Sequence, residues 1–320
     1  MRINIPDAVA QSVVDRSDVG ARSGVITQFG DCAPGPVPGD VSVVPAEVEM
    51  TGVSGEHVFR QPVLFLPHGG GPCFFMDDPG WENLGAYLRS IASALPRRPD
   101  AILAVSGHWE TGIPTVTSGE TPDLIYDYYG FPEHTYRLKY PAPGSPALAA
   151  RVQGLLAGAG IASAGDAERG FDHGVFIPFM LAFPDADIPV VELSLGSDLD
   201  AEQELRTGEA LEALRDENVL IVATGMSFHN LRLFRPGVPA ADEASRAFDA
   251  WLVAAVTAAP AERNASLLRW EEAPAARICH PREEHLLPLM VAAGAAGSDR
   301  GRHVYGDTVR GKALSGFRFG

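Results

Sequence analysis

The sequence predicts a single α/β domain, with a central, mostly parallel mixed sheet flanked by helices. Three observations carry that expectation. From residue 62 onward, short apolar runs alternate with segments of helical spacing. The chain has 320 residues, 46% hydrophobic and 21% charged, enough to bury one large core. Neither an internal repeat nor a low-complexity segment interrupts the alternation.

Residues 1–60 precede this pattern. They contain Pro34, Pro36, Pro38 and Pro45, scattered glycines and short Val-rich pieces without sustained periodicity. They read as an N-terminal extension, a partly ordered arm, or as one or two short strands added to the domain. Residues 61–320 form the domain proper. Residues 63–66 are a buried-strand run. Residues 82–95 follow as a helix, with Leu84, Tyr87, Leu88, Ile91 and Leu95 on one face. Strand 101–105, helix 148–156, strand 188–195, helix 201–214 and strand 219–224 come next. Residues 248–258 and 286–296 read as helices. Strands alternating with helices argue for a parallel sheet covered on both faces.

Charge and cysteine usage narrow the function classes. Lys and Arg total 25 against 41 acidic residues, a net charge of −16. No excess of cations exists to neutralise phosphates, which argues against a nucleic-acid binder. Cys32, Cys73 and Cys279 are too few for a disulfide framework and make no CxxC zinc motif, so a reducing compartment is expected. No apolar run approaches the ~18 residues of a membrane span, and the first residues lack a signal-peptide core. The expectation is a cytoplasmic protein without a membrane or nucleic-acid partner.

The histidines locate the chemistry. His68 lies just past strand 63–66, His108 just past 101–105, and His229 a few residues past 219–224. A helix joins the first two strands, so a right-handed crossover makes them parallel. Parallel strands bring these histidines to one carboxyl edge, where sites gather in open α/β sheets. Neutral imidazole is the commonest ligand for divalent transition metals, so a metal site at that edge is expected. A fourth region, Cys279-His280-Pro281-Arg282-Glu283-Glu284-His285, places two histidines five residues apart. That spacing rotates them by ~140° on a helix, so at most one faces a given site. A fifth, Gly170-Phe171-Asp172-His173-Gly174, suits a general acid/base on a loop open to a ligand, or an exposed tight turn.

Two tempting motifs fail. His68-Gly69-Gly70-Gly71 looks like the oxyanion loop of esterases, yet the chain contains no GxSxG elbow. The same glycines lack the GK[ST] of a phosphate loop and the spacing of a dinucleotide fingerprint. They are left as small residues that let a substrate or metal approach the backbone beside His68.

Taken together, these segments resemble the class III extradiol ring-cleavage dioxygenases, in the DOPA-dioxygenase-like branch. The matching stretches are LFLPHGGGP (64–72), AVSGHWE (104–110), TPDLIYDYYGFPEHTYRLKYPAPGSPALA (121–149), GFDHGVFIP (170–178), DIPVVELSL (187–195), ATGMSFHNL (223–231), PREEHLLPL (281–289) and ALSGFRFG (313–320). They run in order over roughly four-fifths of the chain, outside the first sixty residues. The resemblance implies one divalent metal held by His68 and His108, with further metal-site roles for His229 and His285. In a related branch a carboxylate completes the shell, which brings Glu284 beside His285 into consideration. It implies that His173 is the acid/base. One departure is the HGGGP loop, where the family commonly has a shorter HGSP.

The activity so implied is opening of a catechol ring beside its hydroxyls, with O2 as co-substrate and a semialdehyde as product. Fe(II) is implied because electron density must pass from the catecholate to O2. Zn(II) suits the same nitrogen-rich site in isolated protein but has no redox chemistry. Tyr126, Tyr128, Tyr129, Phe131, His134 and Tyr136 crowd one segment after the second histidine motif, and His134 and Tyr129 are the substrate-binding candidates. Two other classes compete: a zinc hydrolase using the same histidines to activate water, and a non-catalytic binding protein on the same fold.

Overall fold

The computed structural model describes residues 59–320. The arm expected over residues 1–60 falls, but for its last two residues, outside the described residues. In chain order the elements are β1 (Val63–Pro67), α1 (Glu82–Ala94), β2 (Ala101–Thr111), β3 (Thr115–Thr117), α2 (Pro146–Gly158), β4 (Ala164–Asp166), α3 (His173–Ala182), β5 (Val190–Gly196), α4 (Ala201–Leu211), β6 (Val219–Gly225), α5 (Pro239–Thr257), α6 (Pro260–Leu267), α7 (Ala276–Cys279), α8 (Pro288–Ala295), β7 (Gly301–Val309) and β8 (Lys312–Phe319).

The strands form one eight-stranded mixed sheet in the order β4-β3-β5-β2-β6-β1-β8-β7. Its centre is parallel: β2 pairs with β5 and β6, and β6 pairs with β1. These four strands are apolar runs buried along almost their whole length, as a sheet covered on both faces requires. The antiparallel members are β8 against β1, β7 against β8, and β3 against β5. Because β1, β2 and β6 run the same way, their carboxyl ends open at one edge.

Two differences from the sequence expectation bear on the site. Strand β2 continues to Thr111 instead of stopping at residue 105. Its register against β5 slips between Val105 and Glu110, so His108 lies inside an irregular strand segment. Such a bulge re-aims side chains next to a site. Helix α8 begins at Pro288, not at 286, because proline favours the first helical position and disfavours helix before it. Glu284 and His285 therefore sit in the turn ahead of the helix.

Two glycines let that turn cross the sheet edge. A Cβ on Gly107 would meet the Glu284 carbonyl oxygen at 2.7 Å, and one on Gly225 would meet the His285 carbonyl oxygen at 2.2 Å. The Met226 amide donates to that same His285 carbonyl at 2.9 Å. The ends of β2 and β6 thus hold the Glu284–His285 backbone between them. Gly225→Ala is expected to lower stability by roughly 1–3 kcal/mol through overpacking. Thermal melting together with zinc uptake should show both a lower Tm and a looser centre.

A second expectation concerns pH. Glu204, in the first turn of α4, is 1% exposed. Its Oε1 accepts the Gly196 amide at 2.7 Å, while Oε2 has no partner among the described residues. Burial pushes its carboxyl up to about 7, with the Gly196 bond opposing in part. The folded chain then keeps this proton more tightly than the unfolded chain does. Stability is highest below the unfolded value and falls as pH rises toward about 7, by roughly 3 kcal/mol in all. Glu204→Gln keeps the acceptor without the charge. It should flatten the dependence of Tm on pH between about pH 5 and pH 8.

Candidate metal centre

Five of the predicted histidines meet in one place. His68 follows β1, His108 lies in the β2 bulge, His173 opens α3, His229 follows β6, and His285 precedes α8. All five line a single cavity of about 600 Å³. Ring centroids of His68 lie 4.9 Å from His108, 5.1 Å from His285 and 5.5 Å from His173. His229 stacks on His285 at 3.3 Å. Trp81, Tyr128, Phe131, Phe228 and Phe234 supply aromatic lining.

The hydrogen bonds assign the ring nitrogens. His285 Nδ1 lies 3.0 Å from Glu284 Oε1, and His108 Nδ1 lies 3.2 Å from Asp127 Oδ2. An ionised carboxylate only accepts, so each Nδ1 carries the proton. The two Nε2 atoms then face each other at 3.1 Å. Two lone pairs at that distance repel unless a cation is shared between them. A proton on His108 is one such cation, and a metal ion is the other. For comparison, two ligand nitrogens ~2.1 Å from one tetrahedral ion would be ~3.4 Å apart. His68 adds an independent sign: it is 2% exposed, and neither ring nitrogen has a hydrogen-bond partner among the described residues. A buried polar ring without a partner is costly. The donor set therefore fits a divalent metal.

The electrostatics of His68 and His285 agree with that fit. Burial, with the neighbouring His108 charge, holds the His68 imidazole well below its ordinary value. Burial, with His229 and His108 nearby, does the same to His285. Both rings are thus neutral, as metal ligands must be. For Asp127, burial favours the neutral acid, but hydrogen bonds with His108 and His173 outweigh it and hold the carboxyl well below the usual range. Burial opposes charge on His108 too, yet the Asp127 bond and nearby carboxylates prevail and raise its value.

His173 is positioned from two sides. Asp172 caps α3, its Oδ1 accepting the Gly174 amide at 3.0 Å and the Ser106 hydroxyl at 2.8 Å. Asp127 Oδ1 accepts the His173 amide at 3.0 Å and pairs with its Nδ1 at 2.7 Å. One carboxylate therefore spans His108 and His173. Burial, followed by the His108 charge, lowers the His173 value against the pull of Asp127.

The remaining candidates divide. Tyr129 lines the cavity but is 90% exposed. His134 is not part of the lining, and its Nε2 pairs with the Phe75 carbonyl at 2.9 Å. Tyr128 lines the cavity with its ring while its hydroxyl donates to the Thr135 carbonyl at 2.7 Å. Asp127 escaped the sequence reading. Its signal was being the one acid in the aromatic run Leu124-Ile125-Tyr126-Asp127-Tyr128-Tyr129-Gly130-Phe131.

Residues 63–316 match the family model described as the catalytic LigB subunit of aromatic ring-opening dioxygenase. The chain belongs to that family. It is 42% identical over 240 residues to the 4,5-DOPA dioxygenase extradiol of Beta vulgaris, spanning 74% of this chain and 87% of the relative. It is 38% identical over 282 residues to Dioxygenase tasH of Hapsidospora irregularis, spanning 81% and 85%. The crystal structure of an uncharacterized protein from Escherichia coli K12 superposes with a TM-score of 0.67 at 32% identity, covering 82% of this chain and all of that one. The chain is thus a class III extradiol, aromatic ring-opening dioxygenase of the DOPA-dioxygenase-like kind, with a metal cofactor, a small aromatic substrate and O2. No helix among the described residues is long and apolar enough to cross a membrane.

Asp127 lies behind both His108 and His173. Asp127→Asn is expected to weaken zinc binding about 10–100-fold, the usual cost of removing a carboxylate behind a ligating histidine. Competition against a chromogenic chelator measures this, and unchanged affinity would remove Asp127 from the centre.

Proposed function

We propose that this dioxygenase uses Fe(II) to open the ring of a catechol, with DOPA or another substituted catechol as substrate. The observation that carries the reading is the pair of carboxylate-backed Nε2 atoms, 3.1 Å apart, beside the partnerless ring of His68. His68, His108 and His285 would hold the metal. His229, which shares Glu284 with His285 through a 3.2 Å contact, stands against the His285 ring. Glu284 engages the two Nδ1 atoms through Oε1, as a support of His285 would, and its Oε2 has no hydrogen-bond partner among the described residues. Bound Fe(II) supplies a path for electron density from the catecholate to dioxygen, which Zn(II), without redox chemistry, does not.

The chain's own residues have three tasks. Asp127 keeps the proton on His173 Nδ1, so Nε2 is the free base that takes a catechol hydroxyl proton and later returns one. The aromatic lining accepts a flat ring and displaces water around it. Tyr129, at the exposed rim, is placed to contact a substrate's outer part. For His134, its bond to the Phe75 carbonyl favours a role in fixing the loop beside the cavity. The relatives named 4,5-DOPA dioxygenase extradiol make DOPA the first catechol to try.

The test is anaerobic reconstitution of the apoprotein with Fe(II) or Zn(II), addition of a catechol panel including DOPA and protocatechuate, and then admission of air. Oxygen uptake and visible absorbance of a ring-opened product should require iron and at least one catechol. Zinc-supported ester hydrolysis without oxygen uptake would overturn the proposal. In the same assay His173→Ala should cut turnover by about 10²–10⁴-fold with metal content retained, whereas His68→Ala should lose the metal. Equal metal loss in both variants would undo this division of roles.

A further inference from the structure

Arg310 occupies the tip of the β7–β8 hairpin, where Val309 and Lys312 pair across a two-residue loop. Both loop residues have positive φ, 51° at Arg310 and 87° at Gly311. That turn ordinarily takes Asn, Asp or Gly at its first position, so an arginine there is conformationally costly. The tip is nevertheless fixed. Lys312 is fully buried, and its ammonium donates to the Arg310 carbonyl at 3.3 Å and to the Asp242 carboxylate.

From this tip the side chain joins the lining of the cavity that contains the five histidines. Arg310 is the sole Lys or Arg among the described residues of that lining. Its Nη2 donates to Asp78 Oδ2 at 2.7 Å, and Asp78 is itself held by the Gly80 amide at 3.0 Å. Asp78 thus anchors one nitrogen of the guanidinium. Among the described residues, Nε and Nη1 donate to no protein acceptor, so part of the planar fork is left for a second anion. Burial orders the cavity from floor to mouth: His68 is 2% exposed, whereas the Arg310 side chain is 45% exposed. A ring whose hydroxyls reach the histidines would point its substituent outward.

We propose that Arg310 is a specificity-determining residue that binds a carboxylate carried on the substituent of the aromatic substrate. This inference rests on the catechol reading for the ring itself. A forked guanidinium matches a carboxylate in geometry as well as in charge. In a chain of net charge −16, a cation at the mouth also gives an anionic substrate a local attraction.

The test is binding without turnover, on the full chain loaded with Zn(II) under anaerobic conditions. Calorimetry compares homoprotocatechuate with 4-methylcatechol, which share the ring and differ in the carboxylate. The wild type should prefer the acid, and Arg310→Asn should shrink the ratio of the two Kd values by about tenfold. Asparagine tolerates the left-handed turn, so this variant should keep the fold. Arg310→Lys, which retains charge without the fork, should give an intermediate ratio. A ratio unchanged in Arg310→Asn, with both catechols still binding, would overturn this inference alone. Failure of the wild type to bind either catechol would overturn the catechol reading and this inference with it.

Discussion

Two imidazole nitrogens 3.1 Å apart, each on a ring whose far side is held by a carboxylate, call for a cation between them, a proton or a metal ion. The arrangement is intolerable as two bare lone pairs and comfortable around a cation. Asp127 and Glu284 impose it, because a carboxylate on Nδ1 of a neutral ring leaves Nε2 as an acceptor or a ligand. The buried ring of His68, with both nitrogens partnerless among the described residues, adds a third donor with nowhere else to go. The centre is therefore built by what lies behind the histidines as much as by the histidines.

The sheet makes that arrangement rigid. Three parallel strands deliver His68, His108 and His229 to one edge, and two glycines at that edge allow the Glu284–His285 backbone to lie across it. The bond from the Met226 amide to the His285 carbonyl fixes the crossing segment to the end of β6. A fourth element, α3, starts at His173 and is tied to β2 through the Asp172–Ser106 bond. Each histidine of the cluster is thus tied to the same sheet.

Much of this was legible in the sequence, and the gaps have physical causes. The central strands announce themselves because a strand buried on both faces must be a continuous apolar run. Strand β7 does not, because its outward residues Arg302, His303 and Val304 face solvent at the sheet's edge. Helix α3, HGVFIPFMLA, has almost no polar face and hence no helical period to detect. The end of β2 was hidden by Ser106-Gly107-His108, weak strand formers that the bulge and the close approach of Glu284 explain. The strand-end histidines were found by position, whereas Asp127 and Arg310 were not. Their roles depend on contacts with residues distant in the chain, and no local spacing encodes those.

Charge balance links the floor of the cavity to its mouth. Neutral imidazoles bring no charge to a divalent ion, so its compensation must come from the carboxylates behind them. Asp127 and Glu284 supply two negative charges, and both hold their ionised form despite burial. The centre is then near neutrality before substrate arrives. On the proposed reading, a catechol hydroxyl proton would pass to His173, whose ring is already backed by Asp127. No surplus positive charge remains there to attract a second anionic group on the same substrate. The proposed recognition of such a group falls to the mouth, where Asp78 engages one nitrogen of Arg310 and leaves part of its fork unused. The same rule applies at both ends: a carboxylate fixes one side of a cationic or metal-binding group, and the opposite side meets the ligand.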